Sequence, residues 1–482
     1  MNETSADAST HPHDSWLTLA LAAVLLVALA MRLWGIGAQS LWHDEVLTTL
    51  SATAPFSGVL ESVERNENKP PLYFIVMNLW VRAAGLSEAA LRLPSALFGV
   101  AAVAVIYLIG RDLFGDRVVG LIAALLLAFS RYHIAYSQEA RTYSLLFLLL
   151  LLAGWFAVRM IRRKALSDQI GYVFAAALAM YAHPFAAFAL LALNLFYVAC
   201  YVLGPKPATD LRRWLVLQLA FSLLFWPWLA KTWLVVKTGL PWIVQSTSFP
   251  MAMLSYAGSG ALAAILVVLI GVALAYGLIK REREILLPVL LMILPVLGPL
   301  AFSSRLYQTF IPRYGIVVVG ALLLFAAYGL ARLRPWATVL ICAAYVAVSL
   351  PGYGNYPGAE VKADIRGAAR HILANAKPTD AVWNPSEPLF ARPIDHYLGK
   401  SGLTLLAQGE APDPVRFPRL WVIYGVGPED PPVPAGYGSY RIAPFAGLVL
   451  FEFAARPEPA TAPDVTEDSP QPVNSATVPP PR

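Results

Sequence analysis

The sequence predicts a mainly α-helical, polytopic membrane protein with about eleven transmembrane helices, interfacial helices in its first external loop, and a small external α/β domain toward the C-terminus. Three observations carry this prediction. Of 482 residues, 58% are hydrophobic and only 14% are charged, whereas soluble domains hold about 45–50% apolar residues. Apolar runs of the roughly 20 residues needed to cross a ~30 Å hydrocarbon core recur over the first three quarters of the chain. From about residue 351 the pattern changes to one amphipathic stretch and several short apolar runs.

Residues 1–15 form a polar N-terminal segment. The run at 16–34 lacks the basic leader and small-residue cleavage site of a secretory signal, which predicts a retained first span. Further spans are predicted at 91–110, 118–130, 143–161, 170–182, 185–203, 214–236, 260–279, 285–302, 314–331 and 336–350. Residues 70–84 are apolar but short, interrupted by Asn78 and closed by Arg82 and Gly85. Whether they cross decides the side of everything downstream.

Charge arbitrates. The loops after that segment alternate between two sets, one carrying fourteen basic residues and the other five, and the richer set belongs in the cytoplasm. That holds with a cytoplasmic N-terminus if 70–84 lies along the interface, so residues 37–90 become one large external loop and 131–142 a second. Phe56, Val59, Leu60 and Val63 repeat at helical spacing with Glu61, Glu64 and Arg65 opposite, as in a helix on a membrane surface. The predicted location is the inner (plasma) membrane. Positive-inside loops account for the net charge of +6, and no nucleic-acid partner is implied.

Residues 351–455 are predicted to form an external α/β domain, with a helix over 360–374 and strands near 381–383, 403–406, 420–424 and 448–453. The Pro-, Ala- and Thr-rich stretch 456–482 reads as a disordered tail. Cys200 and Cys342 fall inside predicted spans, where they pack as small apolar residues.

The chemistry concentrates where carboxylates meet the membrane edge. Trp42-His43-Asp44-Glu45 follows the first span, and ionisable groups near hydrocarbon are costly enough to suggest function. The charge rule puts Ser137-Gln138-Glu139-Ala140-Arg141 on the same face. One carboxylate can take a proton from an attacking hydroxyl while a second orders the first; equally, acids near a helix start can simply favour its dipole. Lys69, before Pro70-Pro71-Leu72-Tyr73, stands at headgroup level as a point charge for phosphate or as a snorkelling side chain. Arg141, Arg305 and Arg313 are external cations suited to a lipid phosphate or to anionic headgroups. His43, Tyr73 and His183 are candidates to line the site. No metal-ligand spacing of diagnostic kind occurs; cations so placed could make a metal unnecessary, so no cofactor is expected to be required, and the carboxylates could equally hold a divalent metal.

With these residues the chain resembles the membrane glycosyltransferases of the GT-C fold, and among them the bacterial relatives of dolichyl-phosphate-mannose protein mannosyltransferases, which include the lipid A aminoarabinose transferases. The resemblance spans roughly 16–350. It rests on Leu41-Trp42-His43-Asp44-Glu45, Lys69-Pro70-Pro71-Leu72-Tyr73, Leu91-Arg92-Leu93-Pro94-Ser95-Ala96, Arg111-Asp112-Leu113-Phe114-Gly115 and Ser137-Gln138-Glu139-Ala140-Arg141-Thr142-Tyr143. It implies Asp44 as the catalytic carboxylate of the first external loop, Glu139 as the acid of the second, Lys69 as a contact to the lipid phosphate, and Arg313-Tyr314 as the Arg-Tyr pair that recurs in relatives before a late span; beside these, Glu45 is expected to support the site, and Arg141, Arg313 and Tyr314 to bind the donor phosphate with Lys69. It further implies a polyprenyl-phosphate sugar donor, an acceptor hydroxyl on an envelope lipid, glycan or protein, and inverting transfer at the outer face. Asn68 stands where the aminoarabinose enzymes carry Glu, and their Phe-Asp-Glu-Ala-Arg run is missing. A transporter or lipid flippase without bond-making chemistry is the alternative reading, though transporters place ionisable residues near the bilayer midplane.

Overall fold

Some of the long apolar runs that become helix here are bounded by a capping side chain or a glycine, as Ser87 and Gly115 bound Glu88–Phe114. The computed structural model describes residues 12–456 apart from 68, 239–255, 258, 302–311, 351–361, 386–387, 408 and 426–431. Arg305, most of the N-terminal segment and the 457–482 tail therefore lie outside the described residues, as does the side chain of Tyr314.

The first helix, α1 (Pro12–Leu33), leads into a connection and then α2 (His43–Thr53), α3 (Val59–Asn66) and α4 (Leu72–Ala84). The helix α4 has 13 residues, so it reaches only about 20 Å, short of a ~30 Å hydrocarbon core. Its Asn78 donates to the carbonyls of Ala52 and Ala54, both at 2.8 Å, tying α4 to the end of α2. In α3, Val59 and Val63 are buried while Phe56, just before it, and Leu60 are exposed, as an interfacial helix requires.

The central pair is α5 (Glu88–Phe114) and α6 (Arg117–Ala128). Ser87 caps α5 by accepting from the Ala90 N–H at 3.3 Å. Pro94 inside α5 has no N–H to offer the Ala90 carbonyl. The Trp80 indole takes that carbonyl at 2.8 Å, so α4 supplies the bond that the proline omits. Beyond α6 the expected external loop begins as a further helix, α7 (Arg131–Ser137), bent 64° from α6. Ser130 makes the corner: its side chain accepts from the His133 N–H at 3.4 Å and starts a new helix. The fully buried Arg32 braces this corner from α1, donating to Leu127 O and Ala128 O and approaching His133 Nδ1 at 2.8 Å.

The bundle continues through α8 (Tyr143–Arg162), α9 (Leu166–Ala182), α10 (Ala186–Leu203), α11 (Leu211–Thr238), α12 (Gly260–Lys280), α13 (Leu286–Ala301), α14 (Val317–Leu330) and α15 (Pro335–Ser349). Among the described residues six helices are long and apolar enough to cross a bilayer, or seven if α6 and α7 form one broken span. Leu72–Ala84, Val317–Leu330 and Pro335–Ser349 are apolar but shorter, so helix length establishes fewer crossings than the eleven expected.

The C-terminal domain contains α16 (Ile365–Asn375), β1 (Ala381–Trp383), α17 (Pro388–Leu398), β2 (Thr404–Leu406), β3 (Arg419–Gly425), β4 (Tyr437–Phe445) and β5 (Leu448–Ala455). The sheet order is β2-β1-β3-β5-β4, with β1 parallel to both β2 and β3 and the β3–β5 and β4–β5 pairs antiparallel. Two elements here go beyond the sequence expectation. The helix α17 carries an internal Pro393, which breaks the periodicity that identifies a helix. The strand β4, at one edge of the sheet, leaves Tyr440 and Ile442 exposed.

Candidate active site

The helix α2 begins at His43, so Asp44 and Glu45 occupy its first turn, where the helix dipole favours negative charge. The Glu45 carboxylate reaches back toward the Trp42 N–H at only 3.5 Å. Its short bonds go elsewhere: Arg92 grips it with Nε at 2.8 Å and Nη2 at 2.9 Å, and the Ala140 N–H donates at 3.0 Å. Distance thus decides between capping and pairing, and the bidentate guanidinium wins. Glu45 is fully buried. Burial opposes its charge, but Lys362 and Arg92 beside it bring the carboxyl down to about 2.

Arg92 does more than neutralise Glu45. Its remaining donors reach the carbonyls of Ile36, Gln39 and Ser40, each at 2.9 Å. One buried guanidinium from α5 therefore fixes the chain entering α2.

Asp44 lies differently, with its side chain 18% exposed and two guanidinium groups near one oxygen. Arg141 Nη2 and Arg313 Nη1 each stand 3.6 Å from Asp44 Oδ2. Burial works against its charge, and Arg141, Lys69, Arg313 and His43 together overcome it, holding the carboxyl at about 2.

Arg141 itself is buried and turned toward a residue that the sequence reading did not single out. Its fork pairs bidentately with Glu67 at 2.7 and 3.0 Å. The same Nη1 donates to Thr48 Oγ1 at 2.9 Å and to the Asp44 carbonyl at 2.7 Å. Glu67 also meets Lys69 Nζ at 3.5 Å, so one carboxylate links the two cations. The fork that was expected to meet a donor phosphate is thus engaged within the protein and grips the backbone and side chain of the Asp44 turn.

Glu139 lies in the tight turn after α7, where the Arg141 N–H donates to its carbonyl at 2.8 Å. Its Oε1 is 3.5 Å from Lys362 Nζ, and its Oε2 is buried with no hydrogen-bond partner among the described residues. Burial raises its carboxyl above the usual range, Lys362 and Arg313 pull the other way, and Glu45 and Asp44 add to the rise. Glu45 and Glu139, which share Lys362, are therefore pushed in opposite directions.

Arg313, in the 3-10 turn Pro312–Gly315, places its guanidinium 5.5 Å from the Trp42 ring and 5.9 Å from the Tyr143 ring. Tyr314 follows in the same turn. His43 is half-buried at the head of α2, with Nδ1 buried and without a hydrogen-bond partner among the described residues. His183 is buried, accepts from the Phe185 N–H at 3.2 Å, and is lowered to about 3 by burial and by Lys69, Arg141 and Arg313. It is a neutral ring at neutral pH. Tyr73 is fully buried and hydrogen-bonded to Ser95 at 2.9 Å, which in turn donates to the Arg141 carbonyl at 3.3 Å. Its place is behind the site, supporting Arg141.

Glu67, Arg92 and Lys362 are the participants that sequence reasoning missed. Arg92 stood in a quoted motif, and Glu67 lies two residues before Lys69; Lys362 carried no local signal. Among the described residues no group of three or more His, Cys, Asp or Glu side chains is arranged to hold a metal ion.

A helical membrane domain whose first connecting loop folds as short helices over the bundle, followed by a small α/β domain, is the GT-C fold. The chain is similar over nearly its whole length to ArnT from Cupriavidus metallidurans. The apo structure of that protein aligns with a TM-score of 0.58 at 14% identity, covering 92% of this chain and 98% of that one. Its structure bound to undecaprenyl phosphate aligns at 0.55 and 13%, covering 91% and 98%. The archaeal oligosaccharyltransferase AglB from Archaeoglobus fulgidus, in complex with an inhibitory peptide and a dolichol-phosphate, aligns at 0.56 and 10%, covering 82% and 65%. Residues 68–233 match the family described as dolichyl-phosphate-mannose-protein mannosyltransferase. No curated protein matches the sequence significantly.

Proposed function

We propose that the chain is an integral-membrane glycosyltransferase that moves one sugar from a polyprenyl-phosphate donor to an acceptor hydroxyl of an envelope lipid, glycan or protein. The observation that carries this is Asp44: a partly exposed carboxylate beside Arg313 and Arg141, with Lys69 joined to the same cluster through Glu67. A proton acceptor next to cations is what displacement of a phosphate by a hydroxyl needs. The undecaprenyl phosphate bound to ArnT and the dolichol-phosphate bound to AglB support a prenyl-phosphate carrier here.

In this reading the acceptor oxygen attacks C1 from the face opposite the phosphate. The C1–O bond breaks with its electrons going to the phosphate, the hydroxyl proton passes to Asp44, and the anomeric configuration inverts. Lys69 and Arg313, with Tyr314 adjacent, receive the phosphate charge. Arg141 positions Asp44 from behind, Glu45 locks the start of α2, and Glu139 supports developing positive charge on the sugar. A carboxyl held at about 2 is a weak base. A phosphate that engages Arg313 and Lys69 draws off two of the cations responsible and raises the proton affinity of Asp44 when donor is bound.

The same reading gives an inner-membrane protein with a cytoplasmic N-terminus. Residues 16–350 form the catalytic membrane domain, and 351–455 lie on the outer side with the site. Full-length protein in nanodiscs, supplied with a panel of prenyl-phosphate sugars, tests it. Asp44→Asn lowers turnover by about 10²–10⁴, the usual worth of a general base, with donor binding within a few fold of wild type. Turnover of Asp44→Asn close to wild type would remove Asp44 as the base.

A further inference from the structure

The C-terminal domain is docked against the segment that enters the site. Arg366 at the start of α16 donates to Gly37 O at 3.1 Å and to Ala38 O, and pairs with Glu88 at 2.9 Å. Ser40 Oγ donates to Asp364 at 3.0 Å while accepting from the Arg366 N–H at 3.1 Å. The Tyr397 hydroxyl of α17 accepts from the Leu41 N–H at 2.8 Å and donates to Glu88 at 3.0 Å. Residues 37–41 lead directly into Trp42 and the carboxylates.

The docking delivers one charge into the interior. Lys362 Nζ lies 3.1 Å from Glu45 Oε2, 3.5 Å from Glu139 Oε1 and 5.6 Å from the Trp42 ring centre, with its side chain 12% exposed. Arg92 already satisfies Glu45 bidentately. For Glu139, Lys362 is the only cation within salt-bridge distance among the described residues.

We infer that Lys362 is a positioning residue of the transfer site: its ammonium pairs with the Glu139 carboxylate and holds it in place, so that the C-terminal domain completes the site. The link to turnover rests on the glycosyl-transfer reading; the electrostatic link between the two side chains does not. The groups that face Glu139 are Lys362 from the C-terminal domain, Asp44 and Glu45 from α2, and Arg313 from the 3-10 turn. Tyr73 of α4, Tyr136 of α7 and Tyr143 of α8 also sense its charge. Burial and the two neighbouring carboxylates oppose the ionised form and already outweigh Lys362 and Arg313, so removing Lys362 raises the Glu139 carboxyl further.

A hydrophobic carbodiimide, which adds to protonated carboxyls shielded from water, reads this without requiring activity. Full-length protein in nanodiscs is labelled across a pH series, and the adduct on Glu139 is quantified by mass spectrometry, with Glu139→Gln confirming the assignment. Lys362→Met is expected to move the labelling midpoint upward by about one pH unit, as loss of a close opposite charge does. Lys362→Arg leaves it within a few tenths of a unit. An unchanged midpoint in Lys362→Met overturns the inference. If Lys362→Met does not fold, a midpoint moved by a full unit in Lys362→Arg, which keeps the charge, overturns it equally. Absence of glycosyl transfer by the wild type would instead sink the transfer reading, with the labelling result still deciding the role of Lys362.

Discussion

Asp44 and Glu45 are neighbours in sequence and opposites in situation. Glu45 is sealed between Arg92, the Ala140 N–H and Lys362, whereas Asp44 keeps a partly open oxygen between two guanidiniums. The first is a structural pin, and the second is the proposed base. Arg92→Met is expected to lower stability by about 3–5 kcal/mol, the cost of breaking a buried pair from one side, measured as a drop in the unfolding midpoint in detergent. The pH sign follows from the depressed carboxyl of Glu45. Its contribution is present above its ordinary value of 4.5 and lost as pH falls toward about 2. That acid limb shrinks in Arg92→Met. The adjacency of Asp44 and Glu45 was plain in the sequence, but their division of roles was not, because it is set by Arg92 47 positions away and Lys362 317 positions away.

At the scale of elements, glycine sets how near the helices of the central pair can come. A Cβ on Gly110 of α5 would stand 2.7 Å from Gly120 Cα, and one on Gly120 of α6 would stand 2.5 Å from the Tyr107 carbonyl. Both obstacles are backbone, so neither can rotate away. Small residues that let backbones approach are a main source of helix association in lipid. Gly120→Ala is expected to separate the helices at a cost of about 1–3 kcal/mol, read as a lower unfolding midpoint in mild detergent. The apolar runs announced these helices accurately because hydrophobic length is a local property. The bend at Ser130 was not legible, since residues 131–142 are too polar and short to look helical. Their helix is secured by a cap, by Arg32 from α1, and by Gln138, which donates to the Arg32 and Trp34 carbonyls at 3.0 and 2.8 Å.

For the whole molecule, the join between the membrane domain and the C-terminal domain passes through residues 37–41, immediately before Trp42, Asp44 and Glu45. Arg366→Ala removes the donors to Gly37 and Ala38 and the pair with Glu88 without touching Lys362 itself. It is expected to move the Glu139 labelling midpoint in the same direction as Lys362→Met but by less, because the ammonium is loosened and not deleted. A midpoint identical to wild type would show that the other docking bonds suffice. The sequence by itself determined the membrane class, the helical bundle, the change of architecture after residue 350 and the carboxylate-bearing first loop, since these follow from hydrophobic length, charge and adjacency along the chain. Only the tertiary structure decided that Arg141 faces Glu67, that Arg92 anchors the loop, and that Lys362 enters the site. Ion pairs between buried groups are chosen by packing across long sequence separations, and no local pattern records them.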